Sequence, residues 1–424
     1  MFRGIFAAIL LMFLTPSLQG AEQTQSQQPA GGQTGSSSPV DLSVRERPAI
    51  DGDTDSDVRA RPWWRNFDIY GFGAAGYYDT GSDATRANGG FEIKEASLFI
   101  EADVWDDTSF FVELQTNRLG KDDQLFTRTG EAYIYFHSLR LGGLSPIGLK
   151  LGRVDIPFGE EYLWQDASDN PLITNSAAYP YGWDEGVVLF GDFSDRFSWV
   201  AAVMDGTDAR SQEDNSDKSV TLKVYGNPTA PLYLSASWMT NGANSKSAIE
   251  FAGSHFQPVG ASHVSTLGSS TSAEVDSSMF EFNAKYQLLR SDPSKNAYVA
   301  FSVGGAQQDD SGAIFDRSFR WYSVEPYVSF GDRWYAVLRY SEIGTYEDDE
   351  GYHFDGKTFA GGNGTFGYDT KRFRRLGLGL GWMPNPNVKA KFEIGKDWFD
   401  LIQVSTLANG GDRDFIAFEI AARF

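Results

Sequence analysis

The sequence predicts an all-β protein, a transmembrane antiparallel β-barrel of about 16 strands with short periplasmic turns and long extracellular loops. Three observations predict it. Apolar and polar residues alternate with a period of two along segment after segment from Trp63 onward, as in strands with one greasy and one wet face. The connections between these segments sort by length according to strand parity. Aromatics make up 15% of the 424 residues, beside 45 glycines; Phe, Tyr and Trp favour strands while Gly serves turns.

The N-terminus comes first. Residues 1–20 carry one early cation, Arg3, an apolar run from Ile5 to Leu14, and then Pro and small residues. This reads as a secretory signal peptide cleaved near Gly20 or Ala21, and the run is shorter than the ~20 residues a spanning helix needs. Residues 21–62, rich in Gln, Gly, Ser and Pro, read as a disordered tail with too little bulk for a core. Residues 63–424 form the expected barrel domain. Export without cysteine points to a Gram-negative-type outer membrane.

The strands follow in order. The first six are expected near Phe67–Tyr78, Phe91–Val104, Ser109–Asn117, Thr127–His137, Gly148–Pro157 and Asp184–Asp192. The next five are near Phe197–Asp205, Ser219–Tyr225, Leu232–Thr240, Ser277–Leu289 and Ala297–Gln307. The last five are near Arg317–Phe330, Trp334–Tyr346, Lys371–Trp382, Val388–Asp397 and Arg413–Phe424. The cleanest alternation sets Phe280, Phe282, Ala284, Tyr286 and Leu288 against Glu281, Asn283, Lys285 and Gln287. In the last segment Ile416, Phe418, Ile420 and Phe424 oppose Ala417, Glu419, Ala421 and Arg423.

Joins after even strands are short: Asp106-Asp107, Ser194-Asp195, Asn227-Pro228, Asp292-Pro293-Ser294, Gly331-Asp332 and Pro384-Asn385-Pro386. Joins after odd strands are long: 79–89, 158–183, 206–218, 241–276, 347–370 and 398–412. A membrane barrel sorts its loops this way, and it must close, since an open sheet edge cannot survive in lipid. Aromatics bunch at strand ends (Tyr77, Tyr78, Trp105, Trp334, Trp382, Trp398) as interfacial girdles would.

Leu149–Glu161, with Gly152, Arg153, Asp155, Pro157 and Phe158, resembles the most recognisable stretch of the phosphate-selective porin O/P family. Phe91–Val104, with Lys94-Glu95-Ala96-Ser97-Leu98, is similar to that family's early basic strand. The resemblance implies a sixteen-strand porin barrel, a channel activity and a homotrimer. Two departures stand out: Asp155 where the family commonly has Lys, and Glu95 within the basic strand.

With the apolar face outward, the pore wall is expected to carry Glu113, Glu131, Glu281, Lys285, Arg339, Arg375, Lys391 and Glu393, with Gln115, Asn117, Asn283, Glu419 and Arg423 beside them. The long segment Phe158–Trp183 is the expected constriction, because long loops without secondary structure of their own are usually functional or disordered. Constriction candidates are Arg153, Asp155, Glu160, Glu161, Tyr162, Trp164, Asp166 and Asp169. Acidic rings of this kind concentrate cations.

Other classes fare poorly. A net charge of -21 disfavours a nucleic-acid partner. No cysteine means no thiolate metal site or thiol nucleophile, and four histidines offer little to a hydrolase. No catalytic residue, cofactor or metal ligand is therefore expected. The run Glu347–Glu350 reads as solvated outer-loop charge and Gly361–Gly364 as a loop tip. The expected function is passive diffusion of small hydrophilic solutes, among them ions, phosphate or sugars, in contact with outer-membrane lipid and lipopolysaccharide. The alternative is a barrel with an occluded lumen acting as a structural or adhesive surface protein.

Overall fold

The computed structural model describes residues 66–79, 89–117, 128–140, 146–164, 166–178, 180–206, 217–244, 250–251, 275–289, 296–310, 317–345, 352–355, 367–401 and 412–424. The leader and tail at 1–62, the acidic run Glu347–Glu350 and Gly361–Gly364 lie outside these residues.

Sixteen long strands follow one another: β1 (Phe67–Asp79), β2 (Gly90–Trp105), β3 (Thr108–Asn117), β4 (Arg128–Leu139), β5 (Ile147–Asp155), β6 (Trp183–Ser194), β7 (Phe197–Met204) and β8 (Ser219–Thr229). Then come β9 (Leu232–Asn244), β10 (Val275–Leu289), β11 (Ala297–Asp310), β12 (Arg317–Phe330), β13 (Trp334–Thr345), β14 (Gly367–Asn385), β15 (Val388–Leu401) and β16 (Arg413–Arg423). Each pairs antiparallel with the next, and β1 pairs with both β2 and β16, which closes the barrel. The seam ends on Phe424, whose N–H donates to the Gly71 carbonyl at 3.0 Å while its own carbonyl accepts from Gly71 at 3.1 Å. Gly71 has no room for a side chain here, because a Cβ would stand 2.3 Å from the Ser97 carbonyl oxygen.

The barrel is greasy outside. On β16, Ile416, Phe418 and Ile420 are exposed, the last at 47%, while Glu419 between them is 0% exposed and faces inward. On β10, Phe280, Phe282, Tyr286 and Leu288 are exposed, and Glu281 and Asn283 are buried. A fold bathed in water would bury these large side chains; a closed barrel turns them to acyl chains. Ile394 on β15 pairs with Leu378 and Ile416, and all three are exposed in one apolar row. Ile394→Lys is expected to cost about 2–4 kcal/mol if the row lies at the bilayer midplane. Urea titration of the barrel folded into vesicles checks it, and an unchanged midpoint would remove the outward assignment.

The loop sorting holds with local corrections. The strand β8 runs past Asn227-Pro228, and its turn sits at 230–231. A register shift between Leu232 and Leu234 absorbs the extra residues. The turn expected at 384–386 moves to 386–387, where the Asn387 N–H donates to Asn385 Oδ1 at 2.8 Å. At the other end, β11 and β12 stay paired out to Gln308 and Arg317, so the join 311–316 is short although it follows an odd strand. Tyr78 is not a girdle residue: it faces inward, 0% exposed, and donates to Glu419 at 3.1 Å. Trp105, Trp334 and Trp382 are exposed at strand ends as expected, and the rings of the last two lie 6.1 Å apart.

Candidate pore constriction

The segment between β5 and β6 turns into the barrel. Gly159 makes the bend at φ 72, a conformation glycine adopts without a Cβ penalty. Its N–H donates to Ser237 Oγ at 3.0 Å, and Lys223 Nζ donates to its carbonyl at 2.5 Å. Phe158, 1% exposed, packs edge-on against Trp321 on β12 with centroids 6.4 Å apart. A short 3-10 turn, Glu161–Leu163, follows.

The apex crosses to the opposite wall. A loop buried in a lumen has backbone groups that no sheet satisfies, and buried polar groups need partners. Charged side chains of the wall supply them. Glu393 on β15 accepts from Ile173 N at 2.6 Å, Thr174 N at 2.9 Å and Thr174 Oγ1 at 2.6 Å. Lys391 Nζ donates to the carbonyls of Ala167 at 2.9 Å and Leu172 at 3.1 Å. Arg339 Nη1 donates to the Thr174 carbonyl at 2.9 Å, and Arg375 Nη1 to that of Asn175 at 3.3 Å. From β2, Lys94 reaches the Ile173 carbonyl at 3.0 Å, while Glu95 accepts from Ala167 N at 2.9 Å. Asn170, buried, staples the apex through Leu172 N and the Thr174 carbonyl. Leu172 packs on Tyr335 and Val337, and a Cβ on Gly379 would come within 2.5 Å of it.

The apex reaches far down. Asp169 lies 3.5 Å from Arg423 Nη1 at the end of β16, and Tyr335, second in β13, donates to the Pro171 carbonyl at 3.0 Å. Both partners are beside short turns, so the narrowing falls in the periplasmic half.

The loop acids do not form a bare ring. Glu160 pairs with Lys223 at 2.9 Å and accepts from Tyr233 OH at 2.8 Å. Glu161 accepts from Ser176 N at 2.6 Å and from the Ser176 hydroxyl, with Arg339 Nη1 at 3.8 Å. Burial pushes the Glu161 carboxyl above its ordinary range, and Arg339 and Ser176 offset this only in part. Asp169 takes Arg423, and Asp166 lies half-buried at the apex, its carbonyl accepting from the N–H groups of Asp169 and Asn170. Tyr162 lies under Lys223 and Trp164 under Arg339, each cation 5.0 Å from the ring centroid. The aromatics thus seat wall cations. The expected bare acid ring is corrected accordingly: Glu160, Glu161 and Asp169 each face a wall cation.

Arg153 is a second correction. It has the parity of Leu151, exposed on the outer face, and pairs with Glu185 at 2.8 Å across the register. A period of two forces this, since Leu149, Leu151 and Arg153 must share a face. Asp155 ends β5, where its N–H donates to Glu131 Oε1 at 3.0 Å.

The wall candidates Glu113, Glu131, Glu281, Arg339, Arg375, Lys391 and Glu393 are all buried on the inner face, and Lys285 is exposed on that face. Sequence reasoning missed Lys94, Lys150, Lys223, Glu325 and Asp397. Lys223 alternates legibly with Thr221 and Tyr225. Lys94 does not: it is the extra residue of a bulge opposite Ala74 and Ala75, which lets it and Glu95 both serve the lumen. Arg375 is bidentate to Asp397 at 2.8 and 2.9 Å, and Lys391 pairs with Glu419 at 2.6 Å. His137 meets Ser109 Oγ at 2.9 Å, a pairing between strands that no motif signals. Ser109 is 1% exposed, so this hydroxyl is closed to a substrate.

No family profile matches the chain, and no curated protein matches it. Solved structures do. An anion-selective porin from Comamonas acidovorans aligns with TM-score 0.53 and 10% identity over 84% of this chain and 99% of its own. The outer-membrane channel DcaP of Acinetobacter baumannii aligns with TM-score 0.54 and 9% identity over 84% and 97%. The trimer form of OmpT, a Vibrio cholerae outer-membrane protein, aligns with TM-score 0.53 and 10% identity over 84% and 99%. The fold is that of an outer-membrane β-barrel. At such identities the likeness extends to the fold alone, and the resemblance to the phosphate-selective O/P family remains one of short motifs.

Proposed function

We propose that the protein is an outer-membrane porin through which small hydrophilic solutes diffuse down their gradients. The observation that carries this reading is the loop between β5 and β6, folded into the lumen and pinned there by Glu393, Lys391, Arg339 and Arg375. A loop so held narrows a water-filled barrel to a defined width. Because Glu160, Glu161 and Asp169 are matched by wall cations, width rather than a bare acidic ring governs passage. The residues that set it are Glu160 to Asp169 on the loop and the charged wall facing them.

We extend the proposal to the surroundings. On the outer face, near the strand ends that lead to long loops, Arg153 pairs with Glu185, Arg372 with Glu342, and Arg374 with Asp400. These are groups suited to lipopolysaccharide head groups rather than acyl chains. A homotrimer is in keeping with the form recorded for the Vibrio cholerae relative. Residues 1–20 would act as the export signal and 21–62 as a tail.

Purified protein in planar bilayers is expected to give discrete conductance steps, and loaded vesicles are expected to swell in small sugars. A barrel that inserts yet shows neither would be a plugged structural or adhesive element, the reading that the depth of the pinned apex would then favour.

A further inference from the structure

We propose that a row of inward glycines on β14 fixes how closely the constriction loop lies on the wall. Resting on the channel reading, this makes Gly377, Gly379 and Gly381 the width-determining positions of the pore. Their strand alternates strictly. Leu376, Leu378, Leu380 and Trp382 face out, and the glycines between them are buried on the inner face. Glycine inside a strand weakens it, and its presence there commonly marks a close approach by another part of the structure. Here the loop apex makes that approach.

Each glycine seats one anchor of the apex. Gly381 lies between Tyr335 and Lys391 in the register. A Cβ on it would overlap the Tyr335 ring, whose hydroxyl donates to the Pro171 carbonyl at 3.0 Å. At Gly379 a Cβ would come within 2.5 Å of Leu172 Cδ2 and 3.0 Å of Val337 Cγ1. At Gly377 it would stand 2.5 Å from Glu393 Oε1, the oxygen that accepts from Thr174 Oγ1 at 2.6 Å. Going up β14 from 381 to 377 therefore meets Pro171, Leu172 and Thr174 in chain order. Tyr335 and Leu172 are 1% exposed and Glu393 is 0% exposed, so added volume cannot be taken up at the anchors themselves. The hydrogen bonds from Glu393, Lys391 and Arg339 decide which loop atoms face the wall, and the missing side chains decide the separation. One methyl in the row pushes the apex off β14 and into the passage, because close-packed groups answer extra volume by backbone shifts.

The chain has no cysteine, so Ala177→Cys gives a unique reporter on the loop. Ala177 is 0% exposed, and its N–H donates to Ser341 Oγ at 2.8 Å. In the full chain folded into vesicles, Gly379→Ala is expected to raise the maleimide labelling rate of this cysteine about tenfold, the scale of a local opening eased by one overpacked methyl. It is also expected to lower the single-channel conductance step. In a Leu172→Ala background the same substitution is expected to change neither, since the crowded Cδ2 is gone. Gly377→Ala repeats the test at Glu393 should the first variant not fold. Gly73→Ala, where a Cβ would meet nothing nearer than 3.7 Å, is expected to label at the parent rate. A conducting barrel in which folded Gly379→Ala and Gly377→Ala keep the parent labelling rate or the parent step would overturn the proposal. So would an equal effect of Gly379→Ala with and without Leu172. A parent barrel that does not conduct, with the labelling pattern intact, would remove the channel reading and leave the glycine seat standing.

Discussion

Glu393→Ala is expected to release the constriction loop and raise single-channel conductance, with flickering as the freed segment moves. Glu393 is 0% exposed and accepts hydrogen bonds from Ile173 N, Thr174 N and Thr174 Oγ1. Alanine leaves those donors beside a cavity, and each unsatisfied buried donor costs about 1–3 kcal/mol. The sum exceeds what a surface loop loses in most substitutions. Glu393→Gln keeps one acceptor oxygen and is expected to fall between the two. The check is bilayer conductance together with proteolysis of the loop in the folded barrel. If both match the parent protein, Lys391, Arg339 and Leu172 hold the loop unaided, and Glu393 is not its principal anchor.

Arg375→Ala is expected to cost about 3–5 kcal/mol of barrel stability, the scale for removing one partner of a buried ion pair. Arg375 is 2% exposed and its fork grips both oxygens of Asp397, itself 0% exposed. The loss leaves a carboxylate in a closed space with no counter-charge, and it also frees the Asn175 carbonyl. Replacing both residues, Arg375→Met with Asp397→Leu, is expected to cost less than the single change, because neither charge then remains to be solvated. Urea midpoints of the two variants in vesicles decide it. Equal midpoints would mean that water reaches Asp397 and that the pair contributes little.

How far the sequence could be read follows from which interactions are local. Outward-facing residues were legible because alternation is a property of one strand. Phe280, Phe282, Ile416, Phe418 and Ile420 fall where period two puts them, and the same rule, applied strictly, would have placed Arg153 outside with Leu151. The existence of the inward loop was legible from its length and from Pro157 at its root. Its electrostatics were not. Glu161 meets Arg339, and Lys391 meets Ala167, across separations of 178 and 224 positions, and nothing in the neighbouring residues signals the match.

The bulge at Lys94 marks the same boundary on a smaller scale. One residue beyond strict alternation brings a lysine and a glutamate into the lumen together, and only pairing with β1 reveals it. Period, turn chemistry and loop length are carried by a few consecutive residues, so strand identity, barrel class and the lipid-facing row could be read directly. Which carboxylate neutralises which cation and how deep the apex descends depend on strands that meet after closure. Those follow from the requirement that every buried charge find a partner in three dimensions.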